Sequence, residues 1–470
     1  MAAEPMRRVD AAWYRMDRPR NTADIVALLG LEERLPFPRL RSLIADRLLP
    51  QVRFRQRVRA AELGLPTWEE DPGFDVARHV VGPRVLEPGP AALHACLGRL
   101  ATEVLDPTHP PWRIEVLESG GTSALALKIH HCVGDGRALV GVLRRIADEA
   151  VWDSTPGAGA FRPLALARDG LEAVSRALQD PRAALHLAGE AASFGGSLAH
   201  LVALPADRPT ILSRPHSGVR RVAWTRALPM DRVRTACRRG GVTVNELMLA
   251  AIAGALRTVL ARAGEPVDAL APRALMPVDA RDPQDRSLGN GFGLVFFDLP
   301  VRAASPADRL AMIRARSEAL RHSPEAVVTL AVLGAIGLLP PGLERLATSF
   351  FARKASLVVT NVRGPSAAVR LGGSLVDRLI FWVPHPATLG LGISIISYAG
   401  EIRVGVRSDR AVLEDPGTLA RAITAELAAL GVEEGRRVPP VRIHVPNPNA
   451  NLNPPSEPVI RVPSPMAPGP

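Results

Sequence analysis

The sequence predicts an α/β fold made of two sandwich lobes with mixed sheets. Segments typical of strands and of helices intermix in both halves of the chain, without strict βαβ alternation. Residues 155–215 separate the halves and hold Gly, Pro and Ala clusters with weak periodicity, which is typical of a connector with helical pieces. Neither GxGxxG after a strand nor a GxxxxGK phosphate loop is present, so nothing supports a nucleotide-binding fold.

We therefore divide the chain into four parts. Residues 1–154 form an N-terminal lobe, residues 155–215 a connector, and residues 216–437 a C-terminal lobe. Residues 438–470 contain eleven prolines and no apolar periodicity. This tail is expected to be extended or disordered.

In the N-terminal lobe, apolar residues recur at helical spacing in residues 38–49, 91–105 and 138–150. The apolar run that ends at His130 predicts a buried strand. Gly120-Gly121 precedes it and predicts a hairpin turn. Residues 82–90 are typical of a loop.

In the C-terminal lobe, a long helix is predicted from Thr243 to about residue 262. Thr243 and Glu246 have the spacing of a capping box at its start. Ala399-Gly400 predicts a second hairpin. Further strands are predicted at residues 221–228, 273–277, 292–301, 357–360, 374–383, 392–398 and 402–406, and helices at 230–239, 307–321, 326–338 and 416–430.

Composition excludes several classes of protein. The 470 residues are 47% hydrophobic and 22% charged, which excludes wholesale disorder. Aromatic residues make up only 4%, which disfavours a nucleobase-stacking surface, and we expect no nucleic-acid partner. The formal charge is +11 and almost entirely from arginine, since Lys occurs only at positions 128 and 354. Such a surface is either simply solvated or attracts anionic substrates or an anionic membrane face.

The cysteines and the lengths of the apolar runs indicate the cellular compartment. The three cysteines are odd in number and lack CxxC spacing, which fits a reducing cytosol and no structural zinc. The N-terminal residues contain no apolar signal region. No uninterrupted apolar run reaches the roughly 18 residues of a spanning helix. We expect a cytoplasmic protein, soluble or peripheral on the inner face of the membrane.

One local motif carries chemistry, the segment HHCVGDG at residues 130–136. It follows a predicted buried strand, where adjacent side chains point to opposite sides, so at most one histidine faces a given cavity. Imidazole suits base catalysis near pH 7. Adjacent histidines lack the spacing of a zinc helix and GxSxG is absent, so we predict neither a metal site nor a serine triad. From the residues alone, a purely structural role is an equal alternative to catalysis: both histidines would have their hydrogen bonds satisfied by neighbouring groups at the strand end.

The motif matches the HHxxxDG signature of the CoA-dependent acyltransferase superfamily, and further segments narrow the resemblance. The chain resembles the bacterial wax ester synthase/diacylglycerol acyltransferase family from about residue 9 to residue 430. The segments that resemble those of the family are LDPTHPPW at 105–112, VTVNELMLA at 242–250, MPVDAR at 276–281 with LGN at 288–290, and NVRGP at 361–365. The family pattern has Leu, Asp and Pro where this chain has Pro111, Glu246 and Arg363.

The resemblance implies two chloramphenicol-acetyltransferase-like lobes with a channel between them. It implies that His131 is the catalytic base, within a motif that includes His130 and Asp135. In the superfamily the motif Asp is chiefly structural and pairs with an arginine, for which we propose Arg281.

The remaining site assignments combine the resemblance with local patterns. Gly136, Asn245 and Asn361 are assigned to substrate binding. Thr243 is assigned to the helix cap, and packing near that cap is an alternative role for Asn245. Asn361 begins a segment that is first of all predicted to be a turn. Trp112 is predicted to be a core residue.

The function implied is transfer of a fatty acyl group from acyl-CoA to a long-chain alcohol or a diacylglycerol. Acyl-CoA would be a substrate, and no cofactor is implied. Peripheral contact with a membrane or lipid droplet is an associated expectation. Two alternatives stay open: transfer from a carrier-protein thioester, and a catalytically idle lipid-binding protein on the same scaffold.

Overall fold

The computed structural model describes residues 3–18, 20–148, 181–280, 288–321 and 323–432. The strands are β1 (Glu4–Pro5), β2 (Asp24–Leu31), β3 (Gln56–Arg59), β4 (Thr67–Glu70), β5 (Val80–Val85), β6 (Trp112–Ser119), β7 (Thr122–His130), β8 (Arg220–Trp224), β9 (Leu228–Pro229), β10 (Arg273–Asp279), β11 (Phe292–Asp298), β12 (Leu357–Arg363), β13 (Arg370–Leu371), β14 (Ser374–Trp382), β15 (Leu391–Tyr398) and β16 (Glu401–Asp409).

The helices are α1 (Arg8–Arg15), α2 (Phe37–Leu48), α3 (Val76–His79), α4 (Pro90–Thr102), α5 (Gly136–Ile146), α6 (Pro181–Ala203), α7 (Met230–Gly240), α8 (Val244–Arg262), α9 (Pro306–Arg321), α10 (Glu325–Ile336), α11 (Pro341–Ala352) and α12 (Pro416–Ala429). Short 3₁₀ turns occupy Val52–Arg55, Ile211–Ser213 and Val267–Ala269.

Two large sheets organise these elements. One has six strands in the order β13-β14-β2-β7-β6-β5, in which only β5 and β6 are parallel. The other runs β11-β10-β12-β15-β16-β8, with β9 also on β16, and pairs β12 in parallel with both β10 and β15. A small sheet has the order β1-β4-β3. These sheets with their helices confirm the predicted α/β class with mixed sheets.

The six-stranded sheet takes strands from both ends of the chain. Strand β14 pairs antiparallel with β2, and Trp382 stands opposite Val26. Both strands are largely buried, and Val26 and Trp382 are fully buried. The sheet that carries the motif is thus completed by a strand from the C-terminal part of the chain.

Local sequence signals predicted several elements correctly. The hairpins at Gly120-Gly121 and Ala399-Gly400 connect β6 to β7 and β15 to β16, and all four turn residues, Ala399 included, take positive φ. The capping box at α8 is also confirmed, because Thr243 N donates to Glu246 Oε2 at 2.7 Å and Glu246 N donates to Thr243 Oγ1 at 3.2 Å. The predicted core position of Trp112 is confirmed, since it is buried and donates to Phe54 O.

The 82–90 loop prediction was wrong at its start, since β5 continues to Val85. Gly82-Pro83 lies within this strand, and such a pair usually indicates a loop. The pairing of β5 with β6 shifts register at the same place, between Val81 and Arg84. Strands β3 and β4 were not predicted, because QRVR and TWEE are short and each has a single apolar residue.

Helix α8 is largely apolar between Glu246 and Arg257. It is long and apolar enough to cross a membrane, but 72% of its most apolar stretch is buried inside the fold. It packs against α9 and α12, as expected of a core helix.

Several predictions fall on residues outside the described ranges. These are Arg281, the first part of the connector up to residue 180, and the Pro-rich tail.

Candidate active site

The motif lies where β7 leaves its sheet. His130 is the last residue of β7, and His131 N donates to Ala23 O at 2.8 Å, next to β2. The chain then turns, with Gly134 N donating to His131 O, and α5 starts at Gly136. The turn fixes both histidines in a buried position.

The two histidines contact different residues, as expected where adjacent side chains at a strand end point in different directions. His130 Nε2 lies 3.1 Å from Asp17 Oδ1, and His130 Nδ1 accepts a hydrogen bond from Cys132 N. The contacts with Asp17 and Cys132 therefore fix the orientation of the His130 ring.

His131 faces Asn290 instead. His131 Nδ1 lies 2.8 Å from Asn290 Oδ1, and Asn290 Nδ2 donates to both Asp10 Oδ1 and His131 O at 2.8 Å. Because those two partners only accept, the amide nitrogen must face them and the amide oxygen must face the imidazole. His131 Nδ1 therefore carries the proton, and Nε2 carries the lone pair that a base needs.

Asp10 anchors this arrangement from helix α1. Its Oδ1 also accepts from Asn290 N at 2.7 Å. Burial raises the pKa of Asp10. The hydrogen bonds from Asn290 and the charge of Arg7 act in the opposite direction, and the net pKa is about 6. Gly289 has φ +104, and a Cβ there would lie 2.9 Å from Asp10 Oδ2, so this position favours glycine.

Aromatic rings enclose the His131 imidazole. The Trp13 ring stacks on it with centroids 4.0 Å apart and an interplanar angle of 13°. The centroid of the Phe292 ring lies 5.7 Å from that of the His131 ring. Such walls restrict the ring orientation and exclude water from the base.

Asp135 closes the motif as a helix cap. Its Oδ1 accepts from Arg137 N and Ala138 N at 3.1 Å, at the N-terminus of α5. Its Oδ2 lies 3.4 Å from Gly291 N. These contacts tie the motif to the segment that carries Asn290.

An apolar cavity lies between the two large sheets, next to the motif. Its walls come from β2, β7 and β14 of one sheet, β12 and β15 of the other, and helix α5. The residues lining this apolar cavity are Ala27, Leu29, Leu127, Gly136, Leu139, Val140, Leu143, Ile146, Val362, Leu379, Phe381 and Ile396.

Asn245 and Asn361 meet although they come from separate segments. Asn361 Nδ2 lies 3.4 Å from Asn245 Oδ1. The predicted turn at 361–365 was placed too early, since residues 361–363 belong to β12, which pairs in parallel with β15, and the chain leaves the strand at Gly364. Val362 of this strand lines the apolar cavity.

Two family models match the chain. The model of the wax ester synthase/diacylglycerol acyltransferase catalytic domain matches residues 6–248, which include the motif. The chain belongs to this family. The WS/DGAT C-terminal domain matches residues 288–431. The chain is thus an acyltransferase of the wax ester synthase/diacylglycerol acyltransferase type.

Individual relatives agree with this membership. Proteins named as diacylglycerol O-acyltransferases from Mycobacterium tuberculosis and Mycobacterium bovis are each 30% identical over 411 residues, which cover 84% of this chain and 88% of theirs. The wax ester synthase/diacylglycerol acyltransferase from Marinobacter aquaeolei VT8 has a similar fold, with a TM-score of 0.62, 20% identity, and coverage of 91% of this chain and 98% of its own. The first condensation domain of the calcium-dependent antibiotic synthetase shares the fold at a TM-score of 0.59 and 16% identity, over 92% of this chain and 97% of its own.

In this wax ester synthase/diacylglycerol acyltransferase family member, the structure brings the predicted residues into two groups. His131, Asp135 and Gly136 lie on one turn, while Asn245 and Asn361 form a pair beside Val362. Thr243 lies at the α8 cap, and His130 contacts Asp17.

Sequence reasoning missed three residues around His131. Asn290 stood in the quoted LGN segment without a role, and Asp10 and Trp13 were not considered. Asp10 and Trp13 are three residues apart, a spacing that places both on one face of α1. That spacing, with an aromatic ring and a carboxylate on an otherwise apolar face, was the available signal.

Proposed function

We propose that this chain transfers a fatty acyl group from acyl-CoA to the hydroxyl of a long-chain alcohol or a diacylglycerol, with His131 as general base. The observation that carries the proposal is the contact of His131 Nδ1 with Asn290, because it leaves the lone pair on Nε2. The apolar cavity beside the same turn supplies space for an acyl chain.

The chemistry follows from this tautomer. His131 Nε2 takes the proton of the acceptor hydroxyl as the hydroxyl oxygen attacks the thioester carbonyl carbon. The tetrahedral intermediate then collapses and expels the CoA thiolate. The His131 imidazolium donates its proton to this thiolate. An ester and a CoA thiol result, and no acyl-enzyme forms. Asp10 supports the imidazolium through Asn290.

The donor chain would occupy the apolar cavity. Its walls are aliphatic or aromatic except for backbone, which suits a hydrocarbon chain. Gly136 lies at this wall, where a Cβ would come within 2.7 Å of Val362 Cγ2. The glycine of the motif therefore keeps the cavity open next to the catalytic turn.

Asn245 and Asn361 would contact the polar part of the substrates. Asn361 is exposed and Asn245 half-buried, so their amides are accessible beside the cavity wall formed by Val362. Asp135 would hold the turn, with Arg281 as its proposed partner. We propose acyl-CoA as a substrate and no bound cofactor.

The insolubility of both candidate products suggests where the enzyme would work. We place it in the cytoplasm, in peripheral contact with the inner face of the membrane or with lipid droplets.

The direct test is product formation by purified protein. Labelled palmitoyl-CoA is offered with hexadecanol in one reaction and a diacylglycerol in another, with wild type and His131→Ala in parallel. Wild type should form ester, and the variant should lose roughly 10²- to 10⁴-fold in kcat. The ratio between the two reactions identifies the acceptor.

His79→Ala is the matched control. His79 is also buried and stacked on an indole, with its ring 4.6 Å from that of Trp112, but it contacts neither the motif nor Asn290. It should keep kcat within a few-fold. Equal loss in both variants, or no ester from folded wild type in either reaction, would refute the proposal, and acyl carrier protein thioesters would then be tested as donors.

A further inference from the structure

Most of the large exposed apolar side chains in the described part of the molecule gather at one end. Three lie on helix α11, where Leu343, Leu346 and Phe350 follow the i, i+3, i+7 spacing of one helix face. Leu346 is 70% exposed and Leu343 is 56% exposed. We call the following group the apolar patch: Leu63, Val202, Leu338, Leu343, Leu346 and Phe350.

Hydrogen bonds join the outlying members of the apolar patch to α11. The Arg15 guanidinium donates to Leu339 O at 2.6 Å and to Gly64 O at 2.5 Å, so the loop with Leu63 lies beside the start of α11. Leu63 is 80% exposed.

At the other end, Lys354 Nζ donates to Val202 O at 3.0 Å and lies 4.2 Å from the centroid of the Phe350 ring. The apolar patch therefore extends from the loop of Leu63 along α11 to the end of α6.

The inner face of α11 reaches the candidate active site. Ala347 and Phe351 pack against the cluster of buried apolar residues that contains Trp13, and Trp13 stacks on His131. The exposed face of the helix is thus one layer of side chains away from the ring that covers the proposed base.

The charges around α11 favour an anionic partner. Arg345 and Arg353 are exposed at the helix and its C-terminus. The acidic residue of the helix, Glu344, is fully buried and accepts from Thr348 Oγ1. Glu62 is the acidic residue on the loop of Leu63. The outward face of α11 therefore presents apolar and positively charged groups, the combination found on helices that lie in a membrane interface.

We propose that the apolar patch inserts into the surface of a bilayer that contains anionic phospholipids. Contiguous exposed apolar surface is uncommon on a protein that works alone in water, and the arginines match phosphodiester headgroups. Insertion would place the Trp13 side of the active site against the phase in which a lipid alcohol is dissolved. That consequence rests on the proposed function, whereas the binding itself does not.

The test is cosedimentation with vesicles of phosphatidylcholine alone or of equal parts phosphatidylcholine and phosphatidylglycerol, containing neither acceptor nor acyl-CoA. Wild type should bind the anionic vesicles more tightly, and added salt should weaken that binding. The triple variant Leu343→Ser/Leu346→Ser/Phe350→Ser should bind at least roughly 10-fold less to both. Arg345→Glu should lose roughly fivefold or more, on the anionic vesicles only.

Val85→Ser/Val104→Ser is the matched control, since both residues are also strongly exposed, Val85 at the end of β5 and Val104 just after α4. It should bind as wild type does. Equal binding by wild type and the triple variant, or an equal loss in the control, would overturn the proposal. A third result would also overturn it: wild type does not bind vesicles, and sedimentation velocity shows a wild-type dimer that dissociates in the triple variant.

Because binding is measured without substrates, it is separate from the ester assay. An enzyme that binds vesicles and forms no ester would contradict the proposed function alone. An enzyme that forms ester and does not bind would contradict the apolar-patch proposal alone. Unchanged melting temperature and unchanged turnover of a short-chain, water-soluble alcohol would show that the triple variant is folded.

Discussion

Asn290 Oδ1 lies 2.8 Å from His131 Nδ1, and the amide behind it is oriented by acceptors on its other side. The contact determines which imidazole nitrogen is protonated, although the two residues are 159 positions apart in sequence. Asn290 and Asp10 therefore act as positioning residues for the proposed base.

Replacing Asn290 tests this positioning. Asn290→Leu removes the acceptor of the Nδ1 proton and leaves Asp10 without its side-chain donor, so kcat should fall roughly 10²-fold or more, because the imidazole no longer has one preferred tautomer. The KM for acyl-CoA should change little. Steady-state kinetics at several acyl-CoA concentrations separates the two constants.

A paired exchange provides the control for that variant. Asn290→Asp alone places two carboxylates in contact, whereas Asp10→Asn/Asn290→Asp restores a donor–acceptor pair and keeps an acceptor for His131 Nδ1. The double variant should be more active than Asn290→Asp. A double variant that is no more active would show that these residues do not act on His131 in the way described.

The buried carboxyl of Asp10 should make stability depend on pH. Its pKa is raised by burial from 3.8 to about 6 in the native state. Between these values the unfolded chain releases a proton that the native state retains, so stability falls as pH rises through this window. Relative to Asp10→Asn, wild type should lose about 2 kcal/mol between pH 4 and pH 6. Urea unfolding at intervals of pH measures the difference, and parallel curves for the two proteins would contradict it.

The motif glycine should control access to the apolar cavity. A Cβ at Gly136 would meet Val362 Cγ2 at 2.7 Å, whereas a Cβ at Gly141, on the same helix, meets nothing within 4 Å. Gly136→Ala should lower kcat/KM roughly 10-fold or more for long-chain acyl-CoA, and Gly141→Ala should not. Val362→Ala in the Gly136→Ala background should restore long-chain turnover. A profile of chain length from octanoyl-CoA to stearoyl-CoA checks this, and no rescue would argue against a steric cause.

Asp135 should be needed for folding more than for the chemical step. Its carboxylate caps α5 through two backbone amides, so Asp135→Ala should cost roughly 1–2 kcal/mol and lower the melting temperature. Asp135→Asn keeps an acceptor for the cap and should recover most of that loss. If Asp135→Ala melts as wild type does and loses only turnover, the structural assignment is wrong.

Local signals account for what the sequence could predict. The capping box at Thr243, the glycine hairpins and the strand before His131 each depend on neighbouring residues, and the structure contains all of them. The different partners of His130 and His131 agree with the alternation expected at a strand end.

Contacts between distant segments could not be predicted in this way. Asp10 meets Asn290 across 280 positions, and no periodicity encodes such a contact. The NVRGP segment shows the converse, because Gly364 and Pro365 signalled a turn, while parallel pairing with β15 extends the strand through residue 363. Tertiary pairing overrode the local signal there.

The pairing of β14 with β2 also has a consequence for biosynthesis. Until residue 382 has left the ribosome, the neighbour of β2 on one side does not exist, and the strand presents an edge in which every residue after Asp24 is apolar. Unpaired apolar edges are templates for association with other chains. One edge of β2 therefore stays unpaired during translation of the N-terminal half, and the first sheet is completed only after most of the chain has been made.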